Sequence, residues 1–284
     1  MKSNYRYIVK AFMAMAVIAG TTSCDDFLDR EPMSSISPET YYSTAAQLEA
    51  NLNDEYPNVL PSFGQWTYGI FGEDKGTDNQ IEVNANDRYT QDRWKVPHSE
   101  SDNWKFERIY RINFFLSEAL PKFGEDMSGS QNTISGSVAT IKHYIGEMYF
   151  LRAYEYFKKL QLFGDFPIIN QPLADEMEAL REASKRFPRN EVARFIISDL
   201  DKAYAYMSDV DMATTRINKD VAMLVKSRVA LFEATWLQNF KGTAFVPGGE
   251  GWPGASLHNN YQYPSGNIDN EVKYFLEQAV EASK

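Results

Sequence analysis

Two stretches of this 284-residue chain carry side chains suited to holding a sugar ring. A sugar offers an apolar C–H face and a rim of hydroxyls. A flat aromatic covers the face, and Asn, Asp or Arg bonds the rim. Residues 60–103 supply Trp66, Tyr68, Arg88, Tyr89 and Trp94 among many Gly, Asn and Asp; residues 241–269 supply Trp252, Tyr261 and Tyr263 among Gly and Pro. The alternative use of each ring is to plug its loop onto a helical core, since large aromatics are often well buried. No short motif links the two loops. A structureless loop as long as 60–103 inside a compact domain is usually functional or disordered, and its aromatics argue against disorder. Asp74, Asp78, Asn79 and Glu82 add oxygen ligands, but without the spacing of a calcium-binding helix–loop–helix. A solvated polar loop is the simpler reading of those four.

Reacting groups are scarcer. The three histidines, His98, His143 and His258, form no H-E-x-x-H pair; no G-x-S-x-G occurs; and Gly248-Gly249-Glu250-Gly251 lacks the Lys and Ser or Thr of a phosphate loop. A carboxylate pair for glycoside hydrolysis is always available among 39 acids. Yet acids such as Glu176, Glu178 and Glu182 fall at solvent positions of helices, and solvated faces account for them. The expectation is a non-enzyme with no metal and no cofactor.

The formal net charge is -10, and without the first 23 residues 26 basic residues face 39 acidic ones, or -13. So acidic a surface repels phosphate backbones, which excludes nucleic acid as a natural partner. Cys24 is the lone cysteine, so neither an internal disulfide nor a Cys-based zinc site can form.

The position of Cys24 gives it another meaning. Lys2, Arg6 and Lys10 precede an apolar run over 11–20, too short to span a bilayer but suited to an export signal. Thr21-Thr22-Ser23-Cys24 then looks like a bacterial lipobox, with Thr21 where Leu is usual, so that residues 1–23 are removed and Cys24 becomes a lipid-bearing N-terminus. The alternative is an ordinary secreted protein with a free thiol near its start. Asp25 and Asp26 directly after the Cys are similar to the acidic signal that sends such lipoproteins of Bacteroidetes to the cell surface.

Periodicity places the elements that must carry the loops. After a tether with Pro32 and Pro38, Ser37 as cap and Pro38 at the first position start a helix that runs to about Pro57, with Leu48, Leu52 and Tyr56 on one face. Helices follow over 103–121, 137–163, 190–208, 219–240 and from 270 to the last residue. The 137–163 segment is apolar on nearly every side, as a helix buried by several neighbours must be, and Ala139, Gly146 and Ala153 at seven-residue spacing let another helix come close. Gly164 and Pro167 stop it. Asn190 reads as the cap of the next helix. Phe232 and Trp236 continue the apolar stripe of Val225 and Val229 and read as core. Paired helices of about twenty residues imply an all-α fold of stacked, tetratricopeptide-like hairpins, in which long irregular loops sit. Such a stack needs a terminal cap, and the final helix has none within the sequence, so a missing C-terminal portion is expected.

Several stretches together resemble the SusD/RagB family of nutrient-binding lipoproteins: Cys24 to Asp29 with Pro32; Ile109 to Asn113 with Phe115-Leu116; Glu147 to Tyr154 through Leu162-Phe163-Gly164-Asp165-Phe166-Pro167; Ala222 to Trp236; and Gly242 to Gly249. The resemblance implies a lipoprotein signal over 1–23, a tether, helix and aromatic-rich loop over 24–103, and a helical-repeat region over 104–284. It implies glycan capture, attachment to the outer membrane by lipid, facing outward, and delivery to a SusC-like TonB-dependent transporter. The family's glycan sites take one contribution just before the first long helix and another after a central helix pair. By that position Arg88 and Trp94, then Trp252, Tyr261 and Tyr263, are the leading candidates, with Trp66, Tyr68 and Tyr89 behind them. Family members are longer, so part of the binding surface is expected outside this sequence. The competing function is a helical-repeat scaffold lipoprotein that binds a peptide or protein partner.

Overall fold

The structure is a computed structural model that describes residues 41–61, 79–80, 103–124, 126–208 and 212–284. The chain divides into two units, Met1–Tyr41 and Tyr42–Lys284, and every helix described belongs to the second. Cys24, Trp66, Tyr68, Arg88, Tyr89 and Trp94 lie outside the described residues, as do the predicted helix start at Pro38 and His98.

Among the described residues there are seven α-helices and no strand, so the fold is all-α. Helix α1 (Ala45–Val59) opens on a capping box: Thr44 accepts from the Gln47 backbone while the Gln47 side chain accepts from the Thr44 backbone. Leu48, Leu52 and Val59 form its buried face. Helix α2 (Glu107–Phe123) buries Ile109, Ile112, Leu116 and Ala119, a three-to-four-residue stripe. Helix α3 (Val138–Phe163) is buried on almost all sides, because α1, α2 and α5 all pack against it. A short helix α4 (Met177–Ala183), which the periodicity did not announce, has no buried residue. Helix α5 (Arg189–Tyr206) lies against α3 and α6 (Lys219–Asn239), and α6 lies against α7 (Ile268–Ala282). Each long helix after α3 therefore packs on its neighbour in the order of a stack of hairpins. The sequence-predicted bounds differ from these mainly at the first turns.

The seven-residue small-side-chain stripe has its reason at Gly146. A Cβ there would stand 2.8 Å from the Met207 backbone nitrogen and 2.9 Å from the Ala203 carbonyl oxygen, so α3 meets the end of α5 backbone to backbone.

The charges correct the expectation drawn for the acids. Glu176, Glu178 and Glu182 are exposed as anticipated, but Glu55, Glu147, Asp199, Glu233 and Glu271 are at most 1% exposed. Each has an arginine beside it. Arg152 of α3 reaches Asp199 of α5 through two hydrogen bonds of 2.6 and 2.8 Å. Its remaining edge donates to Asn113 of α2 and to the Asn170 carbonyl. Arg189 grips Glu233 across α5 and α6 at 2.9 and 3.0 Å. Arg194 grips Glu271 across α5 and α7 at 2.7 and 2.8 Å. Arg216 grips Glu147 at 2.6 and 2.8 Å, and Arg111 approaches Glu55 at 2.5 Å. A second correction concerns Asn190. Helix α5 begins at Arg189 with Pro188 in the cap position, and Asn190 is buried as its second residue, where it donates to Glu271 and to the Tyr261 hydroxyl.

These pairs carry two tests. Asp199→Ala strands a buried guanidinium and should cost about 3–5 kcal/mol in urea unfolding; a cost under about 1 kcal/mol, as for an exposed pair, would refute the role given to Arg152. Glu271 yields a pH test. Burial alone would raise its pKa, but hydrogen bonds from Arg194, Asn190 and Ser265 hold it below the ordinary 4.5. A depressed native pKa gives stability that is full above about pH 4.5 and fades as pH falls through the native value. The stability gap between the native chain and Glu271→Gln should therefore shrink on acidification below that point, measured by urea titration at several pH values; a gap that stays constant down to about pH 2 rules the linkage out.

Candidate functional site

The second aromatic loop folds back onto the turn that ends α3, and one aspartate joins them. Helix α3 stops because Gly164 takes φ +68°, a left-handed conformation, while its N–H still bonds the Leu160 carbonyl at 2.9 Å. That turn presents Asp165. One carboxylate oxygen accepts from the Arg189 backbone N–H at 2.9 Å and so serves the N-terminus of α5. The other accepts from the Trp252 indole N–H at 2.8 Å. Burial pushes the Asp165 pKa above its ordinary value, against the pull of these two donors. The Trp252 ring lies so close to Gly254 that a Cβ there would sit 2.2 Å from it, which reserves that position for glycine.

A cleft of about 470 Å³ opens beside this junction. Trp236, Phe245 and Trp252 line it with Asp165, Arg186 and Arg189. Trp236 comes from the last turn of α6, and its indole N–H donates to the Phe245 carbonyl at 3.0 Å. The Arg189 guanidinium stands 4.1 Å from the Trp236 ring centre while it pairs with Glu233, so the ring is backed by a fixed cation. Phe240 packs 4.5 Å from Trp236 and 5.4 Å from Phe245. Phe245 itself is 62% exposed, an open aromatic face beside a polar rim. A smaller cleft of about 270 Å³, lined by Phe106, Ile109, Tyr110 and Leu180, has no charged side chain.

The structure brings Trp252, Tyr261 and Tyr263 into one ladder, with ring centres 5.7 and 5.2 Å apart. Of the three, Trp252 lines the cleft and is 5% exposed. Tyr261 exchanges hydrogen bonds with Asn190, and Tyr263 donates to the Pro247 carbonyl at 2.7 Å. Burial raises both phenol pKa values, so both hydroxyls stay protonated donors. Trp236 and Phe245 are additions to the sequence-predicted set. Trp236 had been read as core because Phe232 and Trp236 stand at i, i+4; it is only partly buried. Phe245 lies inside the run Gly242 to Gly249 and carried no signal beyond its exposure in a glycine-rich loop.

His143 is a packed histidine: its Nδ1 accepts from the Ser208 N–H at 3.3 Å, which leaves Nε2–H to donate to the Ile217 carbonyl at 3.0 Å. Among the described residues no group of three or more His, Cys, Asp or Glu is placed to hold a metal ion, and no helix is long and apolar enough to cross a membrane. Of the oxygen-bearing loop residues Asp74, Asp78 and Glu82 lie outside the described residues.

Comparison with known proteins places these features in company. A SusD-like family model, described as starch-binding and associating with the outer membrane, matches residues 26–231. Two curated SusD-like proteins of Formosa agariphila are similar: one is 25% identical over 253 residues, covering 85% of this chain and 46% of its own length; the other is 25% identical over 233 residues, covering 75% and 41%. The chain thus spans less than half the length of these curated relatives. Among solved structures, a SusD-like carbohydrate binding protein from Bacteroides vulgatus is similar over 81% of this chain and 50% of its own, at 15% identity and a TM-score of 0.47. A laminarin binding SusD-like protein is similar over 47% and 26%, at 20% identity and a TM-score of 0.37.

The Asp165 junction can be tested without a ligand. Asp165→Ala removes one helix-end acceptor and strands the Trp252 N–H, and should cost about 1–3 kcal/mol. It should also shift tryptophan emission to the red in the native background and not in Trp252→Phe. An equal shift in both backgrounds would show that Asp165 does not hold Trp252.

Proposed function

The chain belongs to the SusD-like family, whose model covers residues 26–231, and we propose that it is a glycan-binding lipoprotein of the outer membrane. The observation that carries this reading is the cleft where Trp236, Phe245 and Trp252 meet charged and polar side chains around about 470 Å³. Sugar rings stack on the exposed aromatic faces, and Gln161 supplies a donor for ring hydroxyls. Arg88 and Trp94, with Trp66, Tyr68 and Tyr89, supply the second contribution. Tyr261 and Tyr263 support Trp252 from behind through their ring contacts.

Binding without bond cleavage fits the carboxylates. A retaining glycosidase holds two carboxyl groups about 5–5.5 Å apart across the scissile bond. Asp165 is the carboxylate that lines the cleft, and both its oxygens already accept hydrogen bonds. Glu233 behind it is fully buried and gripped by Arg189.

In this reading Cys24 bears the lipid anchor, Asp25-Asp26 direct the protein to the cell surface, and the captured glycan passes to a SusC-like TonB-dependent transporter. The net charge of -10 keeps nucleic acid away. A scaffold role has one observation of its own: Leu224 and Leu231 of α6 and Val280 of α7 are at least 50% exposed, an apolar stripe suited to a protein partner.

The two are separated by affinity electrophoresis in gels that contain polysaccharide. Retardation is expected, and Trp236→Ala and Phe245→Ala should each weaken binding about three- to tenfold, the worth of one aromatic stack, with thermal unfolding little changed for Phe245→Ala. Absence of retardation across neutral and acidic polysaccharides favours the scaffold. Retardation untouched by Trp236→Ala, Phe245→Ala and Trp252→Ala moves the site elsewhere. Gentle extraction of the tagged lipoprotein from its own outer membrane should bring a TonB-dependent transporter with it.

A further inference from the structure

The charges around the cleft are settled in all cases but one. Arg189 is paired with Glu233, and Asp165 accepts from Arg189 and Trp252. Arg186 also lines the cleft, and among the described residues no carboxylate lies within salt-bridge distance of it and its guanidinium makes no hydrogen bond.

Arg186 is nevertheless held. Its backbone carbonyl accepts from the His258 ring at 2.8 Å, and His258 in turn stacks 6.0 Å from Trp252. The next residue, Phe187, exchanges two backbone hydrogen bonds with Phe166 at 3.0 and 3.1 Å. Its guanidinium lies 4.5 Å from the centre of the Trp104 ring. A cation held over a ring without a hydrogen-bonded partner keeps its N–H donors for an oxyanion, which a guanidinium receives through two parallel hydrogen bonds. A mobile surface arginine would lose rotamer freedom on gripping a ligand; this one is already confined. On a chain of net charge -10, a fixed and uncompensated cation at the mouth of an aromatic cleft marks a place for a single negative group.

We propose that the cleft selects acidic glycans, and that Arg186 binds a carboxylate or sulfate carried on a ring whose neighbour stacks on Phe245 or Trp236. This deepens the glycan-binding reading and rests on it. Arg186 decides which glycan is preferred, while the aromatics supply affinity for sugar rings of any charge.

The experiment is calorimetric titration of the full chain with four pairs of oligosaccharides: oligogalacturonate, oligomannuronate and oligoguluronate, each beside its carboxyl-reduced form, and a sulfated galactan beside its desulfated form. At least one acidic member should bind about tenfold more tightly than its neutral counterpart. Arg186→Gln should abolish that preference and leave the neutral affinity unchanged. Preference in the uronate pairs identifies a carboxylate ligand, and preference in the galactan pair a sulfate. Equal affinities within every pair, or a preference that survives Arg186→Gln, overturns the inference while glycan binding stands. Failure of every oligosaccharide, together with a panel of neutral polysaccharides, overturns both. Thermal unfolding of Arg186→Gln within about 2 °C of the native chain certifies the variant, since an exposed side chain contributes little to stability, and Arg186→Lys serves as a second variant that keeps the charge but not the fork.

Discussion

A carboxylate buried in a helical core must find its cation there, and five such carboxylates govern this structure. Glu55, Glu147, Asp199, Glu233 and Glu271 are each met by an arginine, and most of the pairs cross from one helix to another. Apolar packing alone would let a smooth helix pair slide by a turn at modest cost. A buried ion pair admits one register, because any slip leaves a charge without a partner. The most connected is Arg152: from α3 it reaches α5, α2 and the segment at Asn170, while its flat face lies 5.3 Å from the ring centres of Tyr149 and Phe195. Hydrophobic burial stabilises the stack, and these pairs specify how it is assembled.

That specification reaches the cleft through short links. Arg189 opens α5, and its side chain fixes α6 by Glu233 and backs the ring of Trp236. Its backbone N–H is received by Asp165, which also receives Trp252. Arg189 at the start of α5 and Asp165 in the turn after α3 therefore set together the distance between the aromatic faces of the cleft. Asn190, the next residue, holds Glu271 and Tyr261 together, so the C-terminal part of the loop is tied to α7 and α5 at once. A loop of this composition would otherwise sample many conformations, and each anchor reduces the ordering cost that a ligand would meet.

The sequence was most readable where periodicity speaks. The all-round apolar pattern of 137–163 and its glycine end appear as α3 and Gly164, and Gly146 makes the close approach that its spacing implied. The helix over 219–240 was found to within a residue from its apolar stripe, and the structure adds the cap, Asn218, whose side chain accepts from the Val221 nitrogen at 3.0 Å. The charges were not readable in the same way. A glutamate on a helix has the same local pattern whether its partner is water or an arginine some forty to eighty positions away, as with Asp199, Glu233 and Glu271. Asn190 was mistaken for a cap because the true acceptor, Asp165, comes from a distant turn. Trp236 was taken for core because helical spacing records which face a side chain occupies and not where the covering layer ends. The candidates before residue 103 lie outside the described residues and remain part of the proposal alone.

The contrast between acidic chain and cationic cleft mouth follows from the same economy of pairing. Every arginine that enters the helical core is spent on a carboxylate, so the core is close to neutral within itself. The excess of acids is then carried by the outer faces, at positions such as Glu176, Glu178, Glu182 and Glu277. Such a surface discourages polyanions over most of its area, and screening limits that effect to roughly 8 Å at physiological ionic strength. The exposed Arg186 guanidinium beside the Trp104 ring is a local positive charge within that acidic surface. An acidic sugar therefore meets repulsion from most orientations and attraction from one. Orientation is thus selected by charge before any ring stacks, which gives the acidic exterior a part in recognition as well as in solubility.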